Sequence, residues 1–241
     1  MHTLIVYVNP EPTSFTAALK DTAQRVLQGL GHTVTVSDLY ADNFNPVAGR
    51  HDFTTVADGQ RFHYQQEQLK ASQESGFSAE LVREQQRVAE ADLFVFVYPL
   101  WWGGMPAMLK GWFDRVMAYG FAYADGKRFD SGFFKGRHGI IALTTGGTAE
   151  RFSPQGVYGP IEDLLFPHRR TMLEYLGLTV APPFVAYASP RVSQQAREDY
   201  LAEWATRLTQ LALQVTPVAK TPDPARTSAT STTAHAWASA A

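Results

Sequence analysis

The segment LFVFVYPLWWGGMPAMLKGWFDRVMA, Leu93–Ala118, decides the fold. Its first six residues, Leu93–Tyr98, are apolar without alternation, the pattern of a strand buried on both faces of a sheet. Met105–Ala118 reads as a helix, and PLWWGGMP (Pro99–Pro106) is the loop between them. On the other side, Ser78–Ala91 reads as a further helix. A buried strand between two helices is the repeating unit of an α/β fold.

The same alternation extends outward. Thr3–Val8 (TLIVYV) is a short apolar, β-branched strand that Pro10 and Pro12 end. Thr13 or Ser14 can cap the helix that follows, where Phe15, Ala18, Ala23, Val26, Leu27 and Leu30 recur at helical spacing. Gly31 sits where a helix C-terminus wants it, and Thr33–Ser37 is a second strand. The polar, aromatic-containing stretch Asp38–Gly76 is too long for an ordinary loop. Further on, the pattern gives a fourth strand at Gly139–Leu143, a helix at Ile161–Leu176, a fifth strand at Thr179–Ala186 and an amphipathic helix at Ser193–Leu213. Right-handed crossovers turn this order into a doubly wound, five-stranded parallel sheet with helices on both faces. Such sheets bind ligands beyond the carboxyl ends of their strands. The loops that matter are therefore Asn9–Phe15, Pro99–Pro106 and Thr144–Gly159.

Composition narrows the chemistry. The 241 residues are 45% hydrophobic and 18% charged, a globular balance. With 0 cysteines there is no disulfide framework, thiol nucleophile, Cys-ligated zinc or iron–sulfur cluster. A formal charge of -2 offers nothing to nucleic acid or anionic lipid. Met1–Val8 lacks a basic signal-peptide start, and no apolar run approaches the roughly 18 residues of a membrane span. The expectation is a soluble cytoplasmic protein with no membrane insertion. GxSxG and HExxH are absent, and the seven histidines are scattered. From Thr216 the chain reads TPVAKTPDPARTSATSTTAHAWASAA, in which 20 of 26 residues are Ala, Thr, Ser or Pro. A domain over residues 1–215 and a disordered tail over 216–241 are expected.

The three loops suggest a planar ligand with a phosphate. In NPEPTSFT, the hydroxyls of Thr13, Ser14 and Thr16 and the free N–H groups of a helix start form an anion site, or a plain N-cap. The sequence has neither GxxxxGK[ST] nor GxGxxG there. In PLWWGGMP, Trp101 or Trp102 offers an aromatic wall while Gly103 and Gly104 allow close backbone approach; the alternative is packing beneath a loop. In TTGGTAERFSPQGVYG, Gly146 and Gly147 let backbone N–H groups face a polar edge, and Tyr158 offers a hydroxyl, or is a surface or interface tyrosine. A flavin fits this combination, its phosphate on the first loop and its ring between the second and third.

Over roughly Thr3–Leu213 the chain resembles the flavodoxin-like NAD(P)H:quinone oxidoreductases of the DT-diaphorase type. The resemblance is carried by LIV…TSF, SDLYADNFNP (Ser37–Pro46), EQQRVAEADLFVFVYPLWWGGMPAMLKGWFDRV (Glu84–Val116), FAY (Phe121–Tyr123) and TTGG…FSxQG…G. It implies a homodimer with two flavin sites at its interface. It implies FAD held through Thr13, Phe15, Thr16, Leu100–Gly103 (with Trp101 and Trp102) and Thr144–Gly147, with Pro99, Ser14, Thr145 and Phe152 alongside. Asn9 matches a family histidine near the phosphate and His63 a family glutamine, while Arg197 matches an arginine near the adenosine end, which favours FAD over FMN.

The implied reaction carries two electrons from NAD(P)H through the flavin to a quinone, by a ping-pong mechanism in one shared pocket. Trp102 and Phe121 would wall that pocket, Tyr123 and Tyr158 would contact quinone oxygens, and Gly146 and Gly147 would stabilise charge on the reduced ring. The chain also departs from the pattern. A tyrosine and histidine that relay charge in the mammalian members are here Phe152 and Tyr158, and a second family tyrosine becomes Asp125. Two other readings stand beside this one: an ancillary subunit of a potassium-efflux system that retains oxidoreductase activity, and an FMN-dependent azo- or nitroreductase.

Overall fold

A computed structural model describes residues 1–218 of the chain; of the tail expected over 216–241, residues 219–241 lie outside the described residues. The elements run β1 (His2–Tyr7), α1 (Phe15–Gly29), β2 (Thr33–Asp38), α2 (Tyr64–Glu74), α3 (Ala79–Glu90), β3 (Leu93–Pro99) and α4 (Ala107–Val116). They continue with β4 (His138–Thr144), α5 (Ile161–Phe166), β5 (Thr179–Val180), β6 (Phe184–Ala186) and α6 (Gln194–Ala212). The sheet is parallel throughout, in the order β2-β1-β3-β4-β5, with β6 also on β4. Every residue of β3, the central strand, is buried, as its unbroken apolar run requires.

The pleat divides the strands between two cores. Leu4, Val6, Phe94, Phe96 and Tyr98 face one side, with Leu81, Val88, Leu109, Trp112 and Val116 of α3 and α4. Ile5, Tyr7, Leu93, Val95 and Val97 face the other, with Ala17, Leu19, Ala23 and Leu27 of α1 and Trp204 and Leu208 of α6. The indole N–H of buried Trp204 donates to the Leu19 carbonyl at 3.0 Å and joins the two helices. Beyond α6, the Val218 amide donates to Asp92 at 3.1 Å.

Three expectations are corrected in detail. The strand expected over Thr179–Ala186 is two pieces, because Pro182 and Pro183 cannot donate to a ladder and fall between β5 and β6. The single helix expected over Ile161–Leu176 is α for six residues only. It then widens to a π-helix over Pro167–Leu173 and closes as a 3-10 turn over Glu174–Leu176. Pro167 has no N–H, so the regular i→i−4 ladder is broken at that residue. The long stretch Asp38–Gly76 contains α2 and a 3-10 turn at Arg50–Asp52.

That stretch is pinned to α4. Buried Arg115 donates to Asp52 through Nε at 2.8 Å and Nη2 at 2.6 Å, and also to Glu80 and the Asn45 carbonyl. The Tyr64 hydroxyl adds a 2.6 Å bond to the other Asp52 oxygen. The backbone comes so close to α4 that a Cβ on Gly111 would lie 2.1 Å from the Pro46 carbonyl oxygen, so only glycine fits there.

Candidate active site

The loops after β1, β3 and β4 meet beyond the carboxyl end of the sheet, and hydrogen bonds knit them together. The Leu100 amide donates to the Thr144 carbonyl at 2.8 Å. The hydroxyls of Thr16 and Thr144, 128 residues apart in sequence, lie 2.9 Å from each other. Asn9 donates its side-chain amide to Thr16 at 3.3 Å.

In the first loop, Ser14 rather than Thr13 caps α1. Its backbone is extended and its hydroxyl oxygen accepts from the Ala17 amide at 3.1 Å. Thr13 gives both its amide (2.8 Å) and its hydroxyl (2.6 Å) to Glu11, and these two bonds hold the Glu11 carboxyl below the usual carboxylate range. The first-turn amides of Phe15 and Thr16 have no carbonyl a turn earlier in the helix to reach, so this end of α1 retains donors for an anion.

The second loop is a tight reversal. Trp101 and Gly104 exchange backbone hydrogen bonds of 3.0 and 2.9 Å, and Trp102 (φ 51) and Gly103 (φ 71) between them are both left-handed. This is the geometry of a type I′ turn, in which a tryptophan costs about 1–2 kcal/mol. The turn holds the Trp102 ring fully in the open. Behind it, the Tyr98 hydroxyl meets His168 Nδ1 at 3.0 Å. Burial raises the Tyr98 pKa and lowers that of His168, so both are neutral and share one hydrogen bond whose donor is set by the histidine tautomer. His168 Nε2 faces Gly104, 3.7 Å from where a Cβ would stand.

The third loop exposes backbone. Among the described residues the amides of Gly146 and Gly147 make no hydrogen bond, whereas the Gly147 carbonyl accepts from the Ala188 amide (2.8 Å) and the Thr145 hydroxyl (2.7 Å). Arg191 donates to the Gly146 carbonyl. Phe152 is buried beneath Gly147, 5.0 Å from the Tyr158 ring and 6.0 Å from that of Tyr187.

The second and third loops line a cavity of about 580 Å3; Asn9, Thr13, Ser14, Phe15 and Thr16 of the first loop do not line it. Leu100, Trp102, Gly103, Gly146, Gly147, Phe152 and Tyr158 line it, and so do Arg151, Leu164 and Arg191, which the sequence reading did not single out. Pro99 ends β3 at its edge and Thr145 supports it from below. Arg197 donates to the Ser189 carbonyl at 3.2 Å, and Ser189 in turn donates to the Thr145 carbonyl, so Arg197 braces the third loop. His63 and Tyr123 are elsewhere: with Tyr175 and Phe113 they line a second cavity of about 720 Å3. Phe121 packs on Phe134, with ring centres 6.4 Å apart, and lines neither cavity. Burial raises the Tyr123 pKa, so it is a hydrogen-bond donor at neutral pH. Among the described residues no helix is long and apolar enough to cross a membrane.

The family model for the flavodoxin-like fold matches residues 1–208. The ribosyldihydronicotinamide dehydrogenase [quinone] of Pongo abelii is 40% identical over 206 residues, 85% of this chain and 89% of that protein. The NAD(P)H dehydrogenase [quinone] 1 of Cavia porcellus is 39% identical over 206 residues, 85% of this chain and 75% of that protein. A crystal structure from Klebsiella pneumoniae superposes with a TM-score of 0.85 at 39% identity, covering 90% of this chain and 87% of the other.

Proposed function

The chain belongs to the flavodoxin-like fold family, and on that premise we propose that it is an NAD(P)H:quinone oxidoreductase holding FAD in the 580 Å3 cleft and working by a ping-pong mechanism. The observation that carries the reading is the surface formed by Gly146 and Gly147. A Cβ on Gly146 would meet nothing within 4 Å, and both amides are free, so a flat ring with polar edge atoms fits against this backbone. Trp102, held out by its turn, supplies the facing aromatic wall. The helix start at Phe15 and Thr16 suits the phosphate, and the choice of FAD over FMN rests on the match of Arg197 to an arginine of the family pattern.

A bound flavin supplies the two-electron chemistry, taking hydride from NAD(P)H and reducing a quinone. The chain supplies the rest. The Gly146 and Gly147 amides, free of protein partners among the described residues, would donate to the polar edge of a bound ring and would stabilise negative charge there. The Tyr158 hydroxyl, on the cleft wall, can donate to a quinone oxygen. Leu100, Leu164 and Phe152 keep that wall apolar and exclude water. Both substrates would use this one cleft in turn.

We infer a homodimer, since Tyr123 and His63 line a separate face of their own chain and Trp102 has no cover within it. We also propose that the reaction takes place in the cytoplasm. Stopped-flow mixing of the purified yellow protein with NADH and NADPH, followed by a quinone, is the test. Bleaching by nucleotide, recovery by quinone, parallel double-reciprocal lines and FAD in the heat-released cofactor are expected. A protein that retains no flavin and reduces no quinone would overturn the reading.

A further inference from the structure

The cleft holds two unpaired guanidinium groups. Arg151 and Arg191 both line it, no aspartate or glutamate does, and among the described residues neither arginine forms an ion pair. Elsewhere among the described residues Arg25, Arg61 and Arg207 also form no ion pair, while seven other arginines are paired. Arg50, Arg83, Arg87, Arg115, Arg128, Arg169 and Arg170 all sit within 4.0 Å of a carboxylate. Glu150 lines the adjoining cavity of about 550 Å3 with Arg151 and Tyr158 but makes no ion pair with Arg151. A chain with formal charge -2 thus concentrates positive charge at its candidate active site.

Arg191 is held through its guanidinium, and Arg151 through its backbone, with both side chains exposed. Arg191 spends one N–H on the Gly146 carbonyl and keeps its remaining donors. The backbone of Arg151 closes the 3-10 turn Ala149–Phe152, and its carbonyl accepts from the Tyr158 amide at 3.0 Å. The free Gly146 and Gly147 amides add their own positive ends. An oxyanion is the group that such a set of donors recognises.

We propose that Arg151 and Arg191 make this cleft selective for a substrate carrying an oxyanion: a carboxylate or sulfonate on a planar acceptor, or the extra phosphate that distinguishes NADPH from NADH. The inference rests on the quinone-reductase reading and names the substrate class of the same site.

The test uses the flavin-loaded protein and the variants Arg151→Met, Arg191→Met and the double variant, each checked for its melting temperature. One arm compares kcat/KM for a sulfonated naphthoquinone with that for unsubstituted 1,4-naphthoquinone. The other compares the Kd of NADP+ with that of NAD+ by fluorescence titration. Each single variant should lower the ratio in the arm that carries the oxyanion by about 10–150-fold, the worth of one charged hydrogen bond. The wild-type ratio should also fall between about 0.01 M and about 0.5 M salt, and that of the double variant should stay flat. A change in the first arm places the oxyanion on the acceptor, and a change in the second places it on the nucleotide. Ratios unmoved in both arms, by mutation and by salt, overturn the proposal. A protein whose flavin neither nucleotide reduces would fail the quinone-reductase reading instead, a visibly different outcome.

Discussion

Gly146 and Gly147 are adjacent, yet adding one methyl group to each should have opposite effects. A Cβ on Gly147 would stand 2.9 Å from Phe152 Cε2 and 3.4 Å from Tyr158 Cε2, so the buried Phe152 ring must move. Overpacking of this kind costs about 1–3 kcal/mol, and a domain of this size loses roughly 2–4 °C of melting temperature per kcal/mol. Gly147→Ala should therefore melt about 2–12 °C lower, with or without flavin. A Cβ on Gly146 meets no protein atom within 4 Å, and Gly146 has no left-handed φ to preserve. Gly146→Ala should leave the flavin-free protein as stable as wild type or about 0.4–1 kcal/mol more stable, because alanine restricts the unfolded chain. Its methyl group would occupy the surface on which the flavin ring rests, so the Kd for flavin should rise at least about tenfold, or roughly 1.4 kcal/mol. Differential scanning fluorimetry of the flavin-free proteins and fluorescence titration with FAD separate the two effects. A Gly146→Ala protein with wild-type flavin affinity would refute the placement of the ring against this backbone, whatever its stability.

Other expectations use the same assays. Trp102→Ala should weaken flavin retention by about 1 kcal/mol, roughly fivefold in Kd, while Trp102→Gly should also raise flavin-free stability by about 1 kcal/mol by removing a left-handed side chain. An unchanged flavin Kd in both variants would deny Trp102 its stacking role. Tyr158→Phe should keep its flavin and lose up to about tenfold in quinone turnover, the worth of one hydrogen bond, as measured by steady-state kinetics. Asp52→Ala leaves the buried Arg115 guanidinium without the oxygen that takes two of its N–H groups and should cost about 3–5 kcal/mol in urea unfolding. Burial holds His32, His138 and His168 below the ordinary histidine range, so the unfolded chain takes up protons first as pH falls through about 6.5. Their contribution is complete above that pH and is lost as pH falls from there toward the folded-state values. The melting temperature of His168→Gln should consequently fall less steeply than wild type between about pH 7 and pH 5.

Most of the scaffold was legible because buried parallel strands are continuous apolar runs, and β1, β3 and β4 have no other reading. Where legibility failed, the deciding partner was distant in sequence or was a proline. Pro167 widens a helix whose apolar spacing is intact, and Pro182–Pro183 interrupts a strand whose residues otherwise suit it. The order within Asp38–Gly76 depends on Arg115, 63 residues from Asp52, so no local pattern announces it. The same holds in the cleft. Its glycines and tryptophans are contiguous motifs and stood out, whereas Arg191 joins through a contact with Gly146 across 45 residues. His63, Phe121 and Tyr123 mark the opposite limit: a resemblance groups them with the flavin, and within one chain the fold puts them on other surfaces.

The fate of Phe152 ties these strands together. In the mammalian pattern a tyrosine stands there as part of a polar relay, and here the ring is buried under Gly147 between Tyr158 and Tyr187. A phenylalanine donates no proton, so this position has become a support for the backbone above it. Its closeness to Gly147 is the reason that residue must lack a Cβ. A loop fixed from below in this way presents its two amides at a constant height, and preorganised amides stabilise developing charge without reorganising. On the proposed function, that backbone, together with Arg151 and Arg191 on the same wall, carries the electrostatics of the cleft. On that reading, restoring the hydroxyl with Phe152→Tyr should change turnover little; a large gain in steady-state quinone reduction would show that the amides alone are insufficient.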